Sequence, residues 1–402
     1  TVLSIALFAG GYIYLQQNEL PSIPKTKTVE DSLPFGESST PRENTGGAPL
    51  NIPSQTNAPQ KGVRPVSSGA LKQISEKPVA GAATFMKGAD TIIRYMEKQT
   101  GHVYDIATQE RKQTRISNTT IPRVYQALFG EQGKSVVLQY LDDKNTIKTI
   151  TANIKTGTST RSVDSGNLES SFLPDDIREF TISPDTKNIF YMLTFANNSI
   201  GTIANIDGSK KKQIFESPVT EWLPHWIEKN TITLATKPSA VSNGFLYTLT
   251  ISNSAFNKTL RDIPGLTALS SKDGKKILFS ASVNNGFETL LYNTQNKKSA
   301  FFPITTIPEK CVWSEDNITL FCGAPQIIPE GLYPESWYQG KVSFNDTVWK
   351  IDTETGALNI LAVLEEDARE PIDLINPLTD KNETFLIFTN KKDSSLWSLK
   401  LK

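Results

Sequence analysis

Histidine and cysteine are scarce. The chain has two His and two Cys in 402 residues, too few for the three or four protein ligands that a zinc site usually takes. Neither sign of charge is in excess. Lys and Arg together number 42, as do Asp and Glu, so no global field selects nucleic acid or an anionic surface. Motifs that carry chemistry are missing too: there is no GxSxG elbow, no DxDxDG calcium loop and no glycine-rich phosphate cradle. Beyond Leu71 no stretch sustains a long 3.6-residue apolar period, so helices should be few.

What is present divides into three parts. Thr1 to Leu15 (TVLSIALFAGGYIYL) is apolar and uncharged, shorter than the roughly 20 residues that cross a bilayer. The chain opens on Thr and not Met, and we expect residues 1–20 to be a transmembrane anchor cut short at its start, with a signal-peptide remnant as the rival. Residues 21–70 follow, rich in Pro, Ser, Thr, Asn and Gly. Such a composition buries too little apolar surface to offset its ordering entropy, so a flexible tether is expected, with a reach on the order of 40 Å.

Residues 71–402 carry short β-rich runs such as ILFSAS and TVWKID. Their turns recur. SPDTKNIFYM, IEKNTITLAT, SKDGKKILFS and SEDNITLFCG align, and their third residues Asp185, Lys229, Asp273 and Asp316 fall 44, 44 and 43 apart. Hairpins around Ala89, Gln132 and Asp380 extend the series, with insertions before Asp185 and before Asp380. Seven units of this length match four-stranded propeller blades. The shared TTIP of ISNTTIPRV and FPITTIPEK, with the Pro of DIPGL, marks blade-to-blade crossovers, because Pro donates no ladder hydrogen bond.

KKQIFESPVTEW, which ends one blade and opens the next, matches LKQISEKPVAGA near the start. The last unit supplies only three strands, near 371–376, 384–389 and 396–401. Lys72 to Glu76 is therefore expected to complete the seventh blade as its outer strand and close the ring. The expected fold is all-β: a seven-bladed β-propeller closed by an N-terminal strand.

SPDTKNIFYM and SKDGKKILFS resemble the PD40, or WD40-like, repeat of TolB-type propellers. The arrangement is also similar to single-pass, membrane-anchored bacterial propeller proteins. The resemblance implies an extracytoplasmic interaction platform and identifies no catalytic residue.

Cys311 and Cys322 flank the SEDN turn and should lie opposite each other across one hairpin. A disulfide is expected there, with two buried thiols as the alternative. His102 and His225 are read as structural. The acid pairs Asp142–Asp143 and Asp175–Asp176, and Glu365–Glu366–Asp367, would suit glycoside chemistry only if two from different blades converged. The strongest binding candidate is the insertion 324–344 in the sixth blade. Tyr333, Trp337 and Tyr338 are its contact anchors, unless the loop caps the channel and turns them inward. Lys237, Glu309, Lys310, Arg369, Glu370, Lys391 and Lys392 would form a mixed-charge rim, and Trp313, Trp349 and Trp397 are read as blade packing.

These features suggest a scaffold anchored in the cell membrane on the extracytoplasmic side, recognising a protein, peptide or glycan on its crossover face. A structural subunit of an envelope machine (pilus or secretion system) is the alternative, and a propeller glycoside hydrolase or lyase a third reading. No catalytic activity, cofactor, metal or nucleic-acid partner is expected.

Overall fold

The recurrent turn residue has a physical job. Asp185 accepts the backbone N–H of Lys187 at 3.2 Å and the Ser183 hydroxyl at 2.6 Å. Asp273 repeats the arrangement with Lys275 and Ser271. Asp316 accepts the N–H groups of Ile318 and Thr319 at 2.8 Å. Each carboxylate thus replaces ladder hydrogen bonds that the reversing chain cannot make. That is why the repeat is legible at its turns.

The computed structural model describes residues 70–108, 112–155 and 166–401. Twenty-eight strands form seven four-stranded antiparallel sheets. Blade 1 holds β2 (Val79–Lys87), β3 (Asp90–Glu97), β4 (Val103–Ala107) and β5 (Gln113–Arg115), counted from the axis outward. Blade 2 holds β6 (Val124–Gly130), β7 (Ser135–Leu141), β8 (Ile147–Lys155) and β9 (Asn167–Phe172). Blade 3 holds β10 (Ile177–Ile182), β11 (Asn188–Phe195), β12 (Asn198–Asn205) and β13 (Lys212–Ser217). Blade 4 holds β14 (Trp222–Glu228), β15 (Thr231–Thr236), β16 (Asn243–Thr250) and β17 (Ala255–Pro264). Blade 5 holds β18 (Thr267–Ser270), β19 (Lys276–Val283), β20 (Gly286–Asn293) and β21 (Lys298–Phe301). Blade 6 holds β22 (Cys311–Trp313), β23 (Thr319–Pro325), β24 (Asp346–Asp352) and β25 (Leu358–Val363). Blade 7 holds β26 (Leu374–Thr379), β27 (Phe385–Asn390), β28 (Leu396–Lys400) and, from the other end of the chain, β1 (Leu71–Ser75).

Closure occurs where the sequence places it. β1 pairs antiparallel with β28, Leu71 opposite Leu399 and Gln73 opposite Trp397. The joint with blade 1 is then sealed by Val79 N–H donating to Ser394 O at 2.9 Å and by the Thr91 hydroxyl donating to Asp380 at 3.1 Å. The first strand of blade 7 starts at Leu374, three residues later than the sequence suggests, because buried Ile372 and Asp373 belong to the crossover.

Seven apolar clusters lie one at each joint between neighbouring blades. Blades 3 and 4, for example, share Phe190, Phe215, Trp222 and Trp226. Trp313 and Trp397 pack in two other joints, and Trp349 lies against the first of these. Since each sheet is covered on both faces by its neighbours, the core is divided into wedges around the axis.

An antiparallel meander alternates direction, so the connections sort by face. Turns from first to second and from third to fourth strands form one face, here called the hairpin face. Turns from second to third strands share the opposite face with the crossovers. The anchor and linker expected over residues 1–20 and 21–70 fall outside the described residues, Ala70 apart. Among the described residues no helix is long and apolar enough to cross a membrane.

Candidate functional site

The insertion of blade 6 is a strap across the crossover face. It leaves β23 at Pro325 and returns at Asp346, its partner in the ladder. Between them Gly331 N–H donates to Asn285 O of blade 5 at 2.8 Å, and Glu335 accepts Ala240 N–H of blade 4, also at 2.8 Å. The Ser282 hydroxyl of blade 5 donates to Tyr333 O. Gly265, at φ +64°, makes room for the strap: a Cβ there would meet Tyr333 O at 2.5 Å.

The aromatic anchors face inward, which corrects the reading of Tyr333 and Trp337 as exposed contacts. Both are buried in a cluster with Phe287, Ile307 and Phe344. Tyr333 and Phe344 stack at 6.0 Å, and the Tyr333 hydroxyl donates to Pro329 O at 2.6 Å. The apolar residues of the strap bury more surface against blade 5 than they could by standing in solvent. Tyr338, in a short helix α1 (Glu335–Tyr338), leaves 40% of its surface exposed.

Lys310 is corrected as well: it is no rim residue. Its ammonium lies 2.5 Å from Asp373 and 2.7 Å from Asp346, with all three side chains wholly buried, and it also donates to Leu374 O at 3.0 Å. Asp373 spends its remaining capacity on the strap, accepting Trp337 Nε1–H at 3.0 Å and Phe344 N–H at 3.0 Å. Burial pushes Asp346 up, against the pull of Lys310. Lys391 is half-buried with its ammonium 5.2 Å from the Trp337 ring centre, and burial lowers its pKa. Lys237, Lys392, Arg369 and Glu370 are exposed, and Lys237 pairs with Glu221 at 2.7 Å.

Where the strap meets the axis, acids gather. The Tyr338 hydroxyl donates to Glu309 in the crossover between blades 5 and 6. Burial, then the charges of Glu309, Glu335 and Glu179, holds this phenol well above its usual range. Glu179, on innermost strand β10, is pushed up to about 7 by burial, which Lys237 partly offsets. Glu309 is also raised by burial, and its Oε2 is buried without a hydrogen-bond partner. Glu179, Glu309 and Glu335 all act on Tyr338, so the mouth gathers acids that suit a cationic group. Sequence reasoning passed over Glu179, because a lone Glu in REFTIS gives no signal of its place across the axis from blade 6.

Among the acid clusters, Asp142 and Asp175 meet, but in an open groove at the rim of blade 2, where Lys148 pairs with Asp175 at 2.9 Å. That groove is removed from the axial mouth. Among the described residues no three His, Cys, Asp or Glu side chains gather as a metal site. The disulfide is present: Cys311 and Cys322 are directly paired in register and joined, with Cα atoms 4.1 Å apart. His102 hydrogen-bonds Thr120 at 3.2 Å, and burial pushes His225 down to about 4.

The class of protein thus defined is a seven-bladed β-propeller with a strapped crossover face. No family model matches the chain, and no curated protein matches it. Solved structures do. An oligogalacturonate lyase from Vibrio parahaemolyticus aligns with TM-score 0.53 and 8% identity over 83% of this chain and 93% of that one. A puromycin-hydrolysing peptidase of Mycobacterium tuberculosis aligns with TM-score 0.50 and 8% identity over 78% of this chain; this chain spans 51% of the peptidase. TolB from Acinetobacter baumannii aligns with TM-score 0.43 and 11% identity over 78% of each chain. At such identities the likeness is one of fold alone. The expectation that this chain is not an enzyme is corrected: a lyase and a peptidase share its fold, so the architecture gives no ground for excluding catalysis.

Proposed function

We propose that this protein is an envelope scaffold that captures a protein or peptide on its crossover face, tethered to the membrane through residues 1–70 on the extracytoplasmic side. One observation carries the reading. Ten of the twelve exposed large apolar side chains in the described residues lie on that face. All six that are more than half exposed do so: Phe172, Phe195, Val241, Phe301, Ile327 and Leu332. Isolated apolar side chains at a surface need no explanation, but their segregation to one face does. The acidic mouth inside this apolar arc suits a partner that presents a basic group among apolar ones. An assembly subunit of an envelope machine would use the same face. The reading concerns what docks and places no bar on chemistry at the mouth.

The test is a photo-crosslinking amino acid placed at Phe195, Val241 or Phe256 in the native envelope, followed by mass spectrometry. Crosslinks to one partner from positions 195 and 241, lost in a Phe172→Asp, Phe301→Asp background and absent at the hairpin-face position 256, are expected. Equal capture at all three positions, or none from the crossover face, overturns the proposal.

A further inference from the structure

The net charge of zero conceals a polarised hairpin face. In blades 3 to 5 the turns of that face span residues 183–188, 205–213, 227–231, 251–255, 271–276 and 293–298. They carry ten Lys and no Arg against four acids, Asp185, Asp207, Glu228 and Asp273. Nine of the ten Lys are exposed. In blades 6 and 7 the corresponding turns, 314–319, 352–357 and 380–384, carry six acids and one Lys. The two sectors lie on one face of one ring and are opposite in sign.

Little within the molecule neutralises the basic sector. Seven of its Lys form no ion pair in the described chain; Lys272, Lys275 and Lys276 pair with Glu315, Asp273 and Glu354. Three of its four acids are engaged inside their own turns, Asp185 with Ser183, Asp207 with Ser209 N–H and Asp273 with Ser271. Like charges packed this densely at turn tips repel one another and cost stability. The fold itself gains nothing from them, so an external anion is the natural counterpart.

We infer that the hairpin face of blades 3 to 5 docks on an anionic lipid surface. Its chemistry favours lipid headgroups over nucleic acid. Lys offers a mobile point charge, whereas directed phosphate or base recognition draws on the bidentate fork of Arg. Aromatic platforms for base stacking are missing as well, since Phe256, beside one of these turns, is the one exposed large apolar side chain near them. Diffuse Lys clusters are the pattern that anionic bilayers attract. The geometry agrees. Ala70 accepts Lys400 N–H at the hairpin end of blade 7, so the chain that precedes the propeller joins it on this same face. The crossover face is then turned toward solvent and toward whatever it captures. This inference shares the membrane tether with the proposed function but not its partner site, because it concerns the opposite face.

The full chain is floated with vesicles of phosphatidylcholine, or of the same lipid with about 30 mol % phosphatidylglycerol. Any binding through the apolar first fifteen residues is common to both kinds, so the readout is the ratio of anionic to neutral binding. A ratio of about tenfold at about 0.1 M salt, falling toward unity at about 0.5 M, is expected. Lys210→Glu, Lys211→Glu, Lys212→Glu, Lys297→Glu and Lys298→Glu together should abolish it with an unchanged circular dichroism spectrum. Lys112→Glu with Lys381→Glu, outside the sector, should keep it. The inference is overturned by a wild-type ratio near unity, by retention of the ratio in the folded five-fold variant, or by displacement from anionic vesicles by a short DNA duplex at stoichiometric concentration. Loss of crosslinks at Phe195 with an intact ratio would count against the proposed partner site alone.

Discussion

The ammonium of Lys310 lies 2.5 Å from the carboxylate of Asp373, and neither side chain touches solvent. The pair joins the crossover of blade 6 to that of blade 7, and Asp373 in turn holds Trp337 and Phe344 of the strap. One buried charge therefore ties together three segments far apart in sequence. With Asp346 also within 2.7 Å, the triad holds one cation against two carboxyl groups.

The two acids should respond differently to substitution. Asp373→Asn removes the better-satisfied carboxylate and weakens four contacts, so it should cost ~3–5 kcal/mol in urea melts. Asp346→Asn should stay within ~1 kcal/mol of wild type at pH 8. Burial already disfavours its charge, and an amide oxygen can still accept Leu374 N–H, which lies at 2.7 Å. Equal losses for the two variants would show that the surplus charge is not where burial places it.

Removing residues 71–78 strips the outer strand from blade 7 and re-exposes the edge of β28. The melting temperature should drop by about 5–10 °C, and blade 7 should lose hydrogen-exchange protection first. An unchanged melt would mean that the pairing of Leu71 with Leu399 contributes nothing to closure.

Glu179 gives a pH signature. Its folded pKa of about 7 lies above the ordinary value of 4.5. Its contribution to stability is therefore complete below about pH 4.5 and is lost as pH rises through 7. Glu179→Gln should gain on wild type by ~1–3 kcal/mol between pH 4.5 and pH 8, measured as the difference of two denaturation series. A gain that runs the other way would place the carboxylate in a cationic setting instead.

Gly265→Ala tests the seat of the strap. A Cβ at φ +64° and 2.5 Å from Tyr333 O must push the strap outward. The cost should be ~1–3 kcal/mol, and it should come with greater proteolysis within 326–345. Gly274→Ala, also at positive φ but with only one neighbour, Ile227, at 3.4 Å, should show a smaller loss and no change in cleavage.

Much of the ring was legible because several blades repeat a local rule. Asp185, Asp273 and Asp316 cap their own turns, so spacing alone revealed the period and placed Cys311 opposite Cys322. The closing strand was legible for a related reason: LKQIS repeats the pattern of an outer strand and stands before an inner one. The site was less so. Whether Tyr333 and Trp337 face solvent or Phe287 depends on the shape of blade 5, which no residue of the strap encodes. Lys310 reads in sequence as one more surface Lys, and only the approach of Asp346 and Asp373 makes it an interior cation.

By itself the sequence determined the number of blades, the order of their strands and the strand that shuts the circle, because those depend on turns and alternation within some forty residues. The tertiary structure alone decided where charge and apolar surface accumulate. A total charge of zero is a sum over residues, and it becomes a basic sector, an acidic sector and an apolar face only when closure brings turns from different blades side by side. Fields and contact surfaces depend on distance through space, and the linear order of residues does not record it.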